Sequence, residues 1–287
     1  MQKECFICDR KQVHKIQQIL SLSESEEKEL EVIVDNYLKS VDMKKTNPEV
    51  MGEIWKLISH YTGNDNPYQS VKNFYNQEVL KVEDEVYHLI DSSDNIYETA
   101  IKICIVGNLI DFSANHQFDM DILKGMIQDI LNKKLSIDDS NLLKKDLSKA
   151  KTVLYLGDNC GEIVLDKIFI TILKRIYPDI HFYFGVRGLS IINDVTFDDA
   201  LEVKMNEVAT IVSNGDGSLG TVLTKTSQEF QNLFNQADVV ICKGQGNYEG
   251  LFLENKKSLY FMFMAKCEIV AKPLGLETLS IVCMKKN

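Results

Sequence analysis

Oxygen-bearing and cationic side chains recur directly after the apolar runs in the second half of the chain. After TVLYL (152–156) comes GDNCGEI, which puts Asp158 and Asn159 in a turn, with Gly161 and Glu162 opening a helix-length stretch that continues to Tyr177. Two oxygen donors beside a helix N-terminus suit a hard divalent cation and a phosphate group, since that helix end favours anions. Simple capping of the helix by Asp158 or Asn159 accounts for the same residue types. After IHFYFGV (180–186) comes RGLSIINDVTFDDA, where Arg187 could clamp a phosphate and Asp194 could supply a second carboxylate ligand. Thr196, Asp198 and Asp199 in that segment read as a helix cap and its first turn.

The glycines Gly215, Gly217 and Gly220 in SNGDGSLG allow close backbone approach to a ligand. Their spacing matches neither the dinucleotide fingerprint nor a phosphate loop ending in GK[ST], and a tight loop explains them equally well. After DVVIC (238–242), Lys243 precedes Gly244, Gly246 and Asn247, an ammonium followed by flexible backbone amides that suit phosphate oxygens. After SLYFMF (258–263), Lys266 stands in apolar surroundings, where a lysine without a partner is rare. Capping explains any one of these tips and explains their convergence poorly.

The elements that would carry these tips are readable from periodicity. The runs 152–156, 180–186, 208–212, 238–242, 258–263 and 279–284 are apolar on both faces and alternate with helix-length segments, as in a buried parallel sheet. Ligands of such sheets bind beyond the carboxyl ends of the strands. From about Ser21 to Lys149 the pattern is helical: Leu30, Ile33, Val34, Tyr37, Leu38 and Val41 share one face, and Leu123, Met126, Ile127 and Ile130 repeat the spacing. The segments 46–49 and 62–69 read as loops, and 100–112 reads as a buried helix. The expected fold class is α/β: a helical region or cap over 1–150, then a Rossmann-like, mostly parallel three-layer α/β domain over 151–287 that binds metal and phosphate.

Composition narrows the function. The 287 residues carry 32 Lys and Arg against 42 Asp and Glu, a net charge of -10, which argues against nucleic acid as a partner. No apolar run reaches membrane-spanning length and the N-terminus lacks a signal-peptide core, so no membrane partner and a cytoplasmic location are expected. Seven cysteines with one close pair, Cys5 and Cys8, do not form a disulfide framework. That CxxC reads as packing or as half of a zinc site, since the other half would need Cys104, Cys267, His14 or a second subunit. The five histidines show no metal or triad spacing. Oligomeric state leaves no mark on the sequence.

Taken together, GDNCGE (157–162), the Arg187–Leu201 segment, KGQGNYE (243–249), AKC (265–267) and CFIC (5–8) resemble the family first catalogued as domain of unknown function 89 and now described as metal-dependent damage-control phosphatases. The likeness is to the small microbial branch with an N-terminal CxxC, and DNPYQ (65–69) and GNLIDF (107–112) extend it into the helical half. Leu189 and Ser190 stand where many relatives carry a proline. The resemblance implies one divalent metal ion (Mn, Co, Ni or Mg) held by Asp158, Asn159 and Asp194. Glu162 would line the site, Lys266 would contact phosphate oxygen, and Lys243, Gly244, Gly246 and Asn247 would hold substrate, with Arg187, Asn108 and Asp111 as further substrate contacts. The expected activity is hydrolysis of small phosphometabolites, either sugar phosphates or damaged phosphorylated metabolites.

For such a phosphomonoesterase, in-line attack would be supported by Lys243 or Lys266 on the equatorial oxygens and by Glu162 or Asp194 on the water, with direct attack by Asp158 left open. The competing readings are a nucleotide-cofactor-binding transferase, such as a carboxyl methyltransferase using the 215–220 loop, and a non-catalytic metal-binding module. Neither accounts for two strand-end lysines beside a carboxylate set.

Overall fold

The apolar runs are buried because side chains on both faces of the sheet find a hydrophobic layer. A computed structural model of the chain describes residues 1–109 and 120–286. The strands are β1 (Ile137–Asp138), β2 (Thr152–Leu156), β3 (His181–Val186), β4 (Thr210–Ser213), β5 (Val239–Lys243), β6 (Leu259–Met264) and β7 (Ile281–Lys285). Alternate residues enter opposite cores: Val153, Tyr155, Val239 and Ile241 join one cluster, while Leu154, Leu156, Val240 and Cys242 join the other. That alternation is the period of a strand expressed in a two-sided core.

The seven strands run in the order β1-β7-β6-β5-β2-β3-β4, parallel throughout except for the antiparallel pair β6 and β7. The chain runs outward through β2, β3 and β4, then returns to lay β5 and β6 on the other side of β2. This makes the β2/β5 boundary the switch point, where the connections diverge and leave a crevice at the carboxyl ends. The tips bearing Asp158 and Gly244 flank that crevice.

The first face is covered by α1 (Cys5–Leu20), α2 (Glu24–Ser40), α3 (Asn47–Thr62), α4 (Gln69–Leu80), α5 (Glu83–Asp91), α6 (Ile96–Val106), α7 (Met120–Asn132), α8 (Ser140–Leu147), α9 (Glu162–Ile176) and α10 (Phe197–Glu202). The second face is covered by α11 (Gln228–Gln236), α12 (Gly244–Leu251) and α13 (Glu268–Ala271). One apolar cluster runs from Val13 and Trp55 through Phe169 to Tyr155 and Cys283, so the helices before residue 150 share a core with the sheet.

Two local expectations change, and one strand was not anticipated. Residues 46–49 are the start of α3: the Thr46 side chain accepts from the Glu49 amide, the Glu49 carboxylate accepts from the Thr46 amide, and Pro48 occupies the first turn. The stretch after Lys243, whose glycines suggested flexible backbone amides, is instead α12, and Gly244 at φ +78° turns the strand into the helix. Strand β1 has only two residues, too few to leave a periodic signal, and pairs with β7.

Candidate active site

The turn after β2 and the loop after β3 are laced together by backbone. Val195 N donates to Asp158 O at 2.9 Å, Cys160 N donates to Asn193 O at 2.9 Å, and Asn159 and Asp194 form an antiparallel bridge. The lacing brings Asp158, Asn159 and Asp194 to the mouth of one cleft of about 260 Å³. Residues from α1 (Cys8, Asp9), α3 (Asn47, Met51) and α12 (Gly246, Glu249) form the other walls, with Lys266 at the rim.

Neither Asp158 nor Asn159 caps α9. The N-cap is Gly161 at φ +82°, and its amide donates 2.7 Å to the Asn76 side-chain oxygen supplied by α4. That contact anchors the amide of the N-cap residue, while the Ile163 amide is taken by Asn159 O at 3.1 Å, and no side chain caps the helix. Asp158 Oδ2 accepts from Asn108 Nδ2 at 2.9 Å and from Asn159 Nδ2 at 2.7 Å. Both amides also reach Glu162 Oε2, at 3.3 and 3.1 Å. Asn108 is fixed in turn by its Oδ1, which accepts from Met264 N at 3.1 Å at the end of β6.

Asp194 is held by Arg187, whose Nε donates to Oδ2 at 2.7 Å, and by the backbone amide of Gly220. The rest of the guanidinium is spent inside the protein: it donates to Thr221 Oγ1 at 3.1 Å, Gly157 O at 3.4 Å and Asn247 Oδ1 at 3.3 Å. Arg187 is buried and is not among the residues that line the cleft. Asn247 donates to Gly157 O and Lys243 O, at 3.1 and 2.7 Å, and ties β5 to the turn after β2.

Lys243 lies beneath the cleft. Its Nζ donates to Asp166 Oδ1 at 2.6 Å and to Cys104 O at 2.9 Å, and forms an ion pair with Glu162 Oε1 at 2.8 Å, all fully buried. Tyr155 Oη donates to the same Asp166 oxygen at 2.7 Å. Burial pushes Asp166 up to about 6 even though Lys243 pulls it down. Burial disfavours the Lys243 ammonium, but Asp166, Cys104 and Glu162 together hold its pKa well above the usual lysine range. Glu162 and Lys243 therefore form a floor under Asp158, and neither lines the cleft.

Lys266 is exposed at the rim, contrary to the apolar setting expected for it, because β6 ends at Met264 and the chain emerges there. Its charge draws Asp158 downward. Gly246 lines the cleft. Asp111 lies outside the described residues. Asp198 is exposed, while Asp199 accepts from Thr196 N and Oγ1 at 2.7 and 2.6 Å and pairs with buried Lys72, so these two acids belong to the start of α10. Cys8 lines the cleft, and burial raises the thiol pKa of both Cys5 and Cys8.

Gly244 shows how tightly the floor is built. A Cβ there would fall 1.9 Å from Asp158 Oδ2, in a backbone conformation that side chains strain to adopt. Gly244→Ala is expected to push Asp158 out of register and cut kcat by about a hundredfold or more, since misplacement of about an ångström has that effect. Strain of about 1–3 kcal/mol should lower Tm as well. Phosphate-release kinetics and a melting curve on the same preparation check both outcomes.

Burial, then Glu162 and Asp194, push the Asp158 carboxyl well above the usual range, with Lys266 and Arg187 opposing. Burial also raises Asp194 against the pull of Arg187. Among the described residues no three His, Cys, Asp or Glu side chains converge as a ready-made cage. The candidate set is instead two carboxylates and an amide, all at most 9% exposed. The Asn159 nitrogen is spent on Asp158 and Glu162, which leaves its Oδ1 as the available donor. This is hard-oxygen chemistry, and a divalent cation there would offset the carboxylate repulsion. The residues fit the ion.

Over residues 1–282 the sequence matches the Damage-control phosphatase ARMT1-like domain. The chain belongs to this family. It is 33% identical over 291 residues to an uncharacterized protein of Methanocaldococcus jannaschii, covering 99% of this chain and 94% of that protein. It is 31% identical over 288 residues to a damage-control phosphatase of Pyrococcus horikoshii, covering 100% of this chain and 98% of the other. The crystal structure of a DUF89 family protein from Pyrococcus horikoshii superposes with a TM-score of 0.92 at 30% identity, covering 100% of this chain and 99% of that one. The α/β fold and the family are those expected from the sequence. No helix among the described residues is long and apolar enough to cross a membrane.

Proposed function

We propose that the protein is a metal-dependent phosphatase that hydrolyses small phosphorylated metabolites. The observation that carries this reading is the placement of Asp158 and Asp194 at the switch-point crevice, with neither side chain spent on capping α9. The relatives named as damage-control phosphatases support it.

One divalent ion (Mn, Co, Ni or Mg), held by Asp158, Asn159 and Asp194, would neutralise phosphate charge and lower the pKa of a bound water. Asn108 and Asn159 orient Asp158, and Arg187 orients Asp194. Lys266, free at the rim, meets phosphate oxygen. Asp158 and Asp194 are carboxylates that face the cleft, so positioning of the attacking water falls to them and not to Glu162, which is sealed beneath. Lys243 acts through the floor as a positioning residue, not as a phosphate ligand.

Packing accounts for part of the 215–220 loop on which the transferase alternative rests. A Cβ at Gly220 would fall 2.4 Å from Gly246 carbonyl carbon, and one at Gly52 would fall 2.9 Å from Gly217 O. Close packing between backbones uses these glycines.

The test is release of inorganic phosphate from p-nitrophenyl phosphate and a panel of sugar phosphates. Release should stop with EDTA and return with Mn²⁺ or Co²⁺; no release from any ester under those conditions would refute the reading. Lys266→Met should raise KM about tenfold, the loss of one charge-assisted contact of about 1.4 kcal/mol, with Tm unchanged. Steady-state kinetics beside a melting curve check this, and an unchanged KM would remove Lys266 from the phosphate site.

A further inference from the structure

The far wall of the cleft carries oxygen acceptors that no group among the described residues satisfies. Asp9, on α1, is 2% exposed and lines the cleft, yet its Oδ2 has no hydrogen-bond partner among the described residues. Asn47, at the start of α3, lines the same wall with its Oδ1 buried and unpartnered. Glu249 on α12 completes the wall, its Oε1 accepting from Gln245 Nε2 at 2.6 Å. Burial and the nearby Glu249 push Asp9 up to about 7, with Arg10 opposing, and burial raises Glu249. Buried acceptors without donors are costly, so this wall is suited to a ligand that brings donors.

Charge selects the kind of donor. The charged groups lining the cleft are Asp9, Asp158, Asp194 and Glu249 against Lys266. A phosphate dianion and a divalent cation at the Asp158 end would cancel one another, and Lys266 offsets only one of the four lining carboxyl groups, so a cation arriving beside Asp9 would draw its raised pKa back down and favour the carboxylate. A hydroxyl would supply the hydrogen bonds without that charge; an ammonium supplies both.

The geometry points to Asp9 and Glu249, with Asn47, as a recognition site for a primary ammonium on the leaving group, so that amine-bearing phosphomonoesters are the preferred substrates. This rests on the phosphatase reading above and adds specificity to the same cleft.

Matched pairs test it: the six-phosphates of glucosamine and glucose, their one-phosphates, and phosphoethanolamine against ethylene glycol monophosphate. Binding is measured by calorimetry on the EDTA-treated protein and turnover is measured with Mn²⁺. In at least one pair the amine should bind about tenfold tighter and show about tenfold higher kcat/KM. Asp9→Asn and Glu249→Gln should each shrink that preference to about threefold or less, weakening the amine partner by more than the neutral one. No preference in any pair, or equal weakening of both partners in the variants, would overturn the inference. Amine-selective binding without hydrolysis of any ester would instead sink the phosphatase reading and leave the recognition site standing.

Discussion

Asp158→Asn is expected to abolish turnover and to stabilise the metal-free protein. Loss of a cation ligand should cut kcat/KM by about a thousandfold or more, because the charge stabilisation at the reacting phosphate goes with it. In EDTA the same change removes a buried carboxylate that Glu162 and Asp194 repel, while the amide keeps the side-chain shape. Relief of about 1–3 kcal/mol should raise Tm by a few degrees. The sign in pH follows from the raised carboxyl: the folded state holds its proton more tightly than the unfolded state. The destabilisation is therefore absent below the ordinary carboxyl range and grows as pH rises toward the folded-state value, so the variant's advantage should fade below about pH 4. Melting curves across pH with EDTA, beside phosphate-release assays, measure both halves. A variant that melts about 1 kcal/mol lower with activity intact would return Asp158 to helix capping.

Lys243→Met is expected to be the most destabilising change at the floor. It would leave Glu162 and Asp166 as buried carboxylates without their shared cation, a loss of about 3–5 kcal/mol, or roughly 10 °C in Tm for a chain of this size. Asp166→Asn added to Lys243→Met should recover part of that loss, because one orphaned charge is gone, and the double-mutant cycle reads the coupling directly. Stabilisation by added inorganic phosphate should be the same in Lys243→Met as in the parent. Loss of phosphate protection with normal stability would place Lys243 in the cleft and contradict the floor.

What was legible before the structure follows from the range of each signal. Two-sided apolar runs reported the strands, and the oxygen donors just after them pointed to Asp158, Asn159 and Asp194, which the fold places in one cleft. The division of labour among the cationic residues was not legible. Arg187, Lys243 and Lys266 each stand at or just past the end of a strand, yet only Lys266 lines the cleft, since Lys243 is taken by Cys104 on α6 and Asp166 on α9, and Arg187 by Asp194, Thr221, Gly157 and Asn247. Asp166 could have been found: a carboxylate inside the apolar stretch 163–173, one turn after Glu162, needs a buried partner. Asn76 could not, because its contact with Gly161 spans 85 residues and leaves no pattern in sequence. Asp9 was hidden for the same reason, since its wall is assembled from α1, α3 and α12.

Manganese binding measured by electron paramagnetic resonance on EDTA-stripped protein tests the centre most directly, without reference to any substrate. Titration of the parent should reach one bound Mn²⁺ per chain, and Asp158→Asn and Asp194→Asn should each leave the added ion free over the same range while remaining folded. Equal binding by the parent and both variants, or no binding by the parent, would contradict the account.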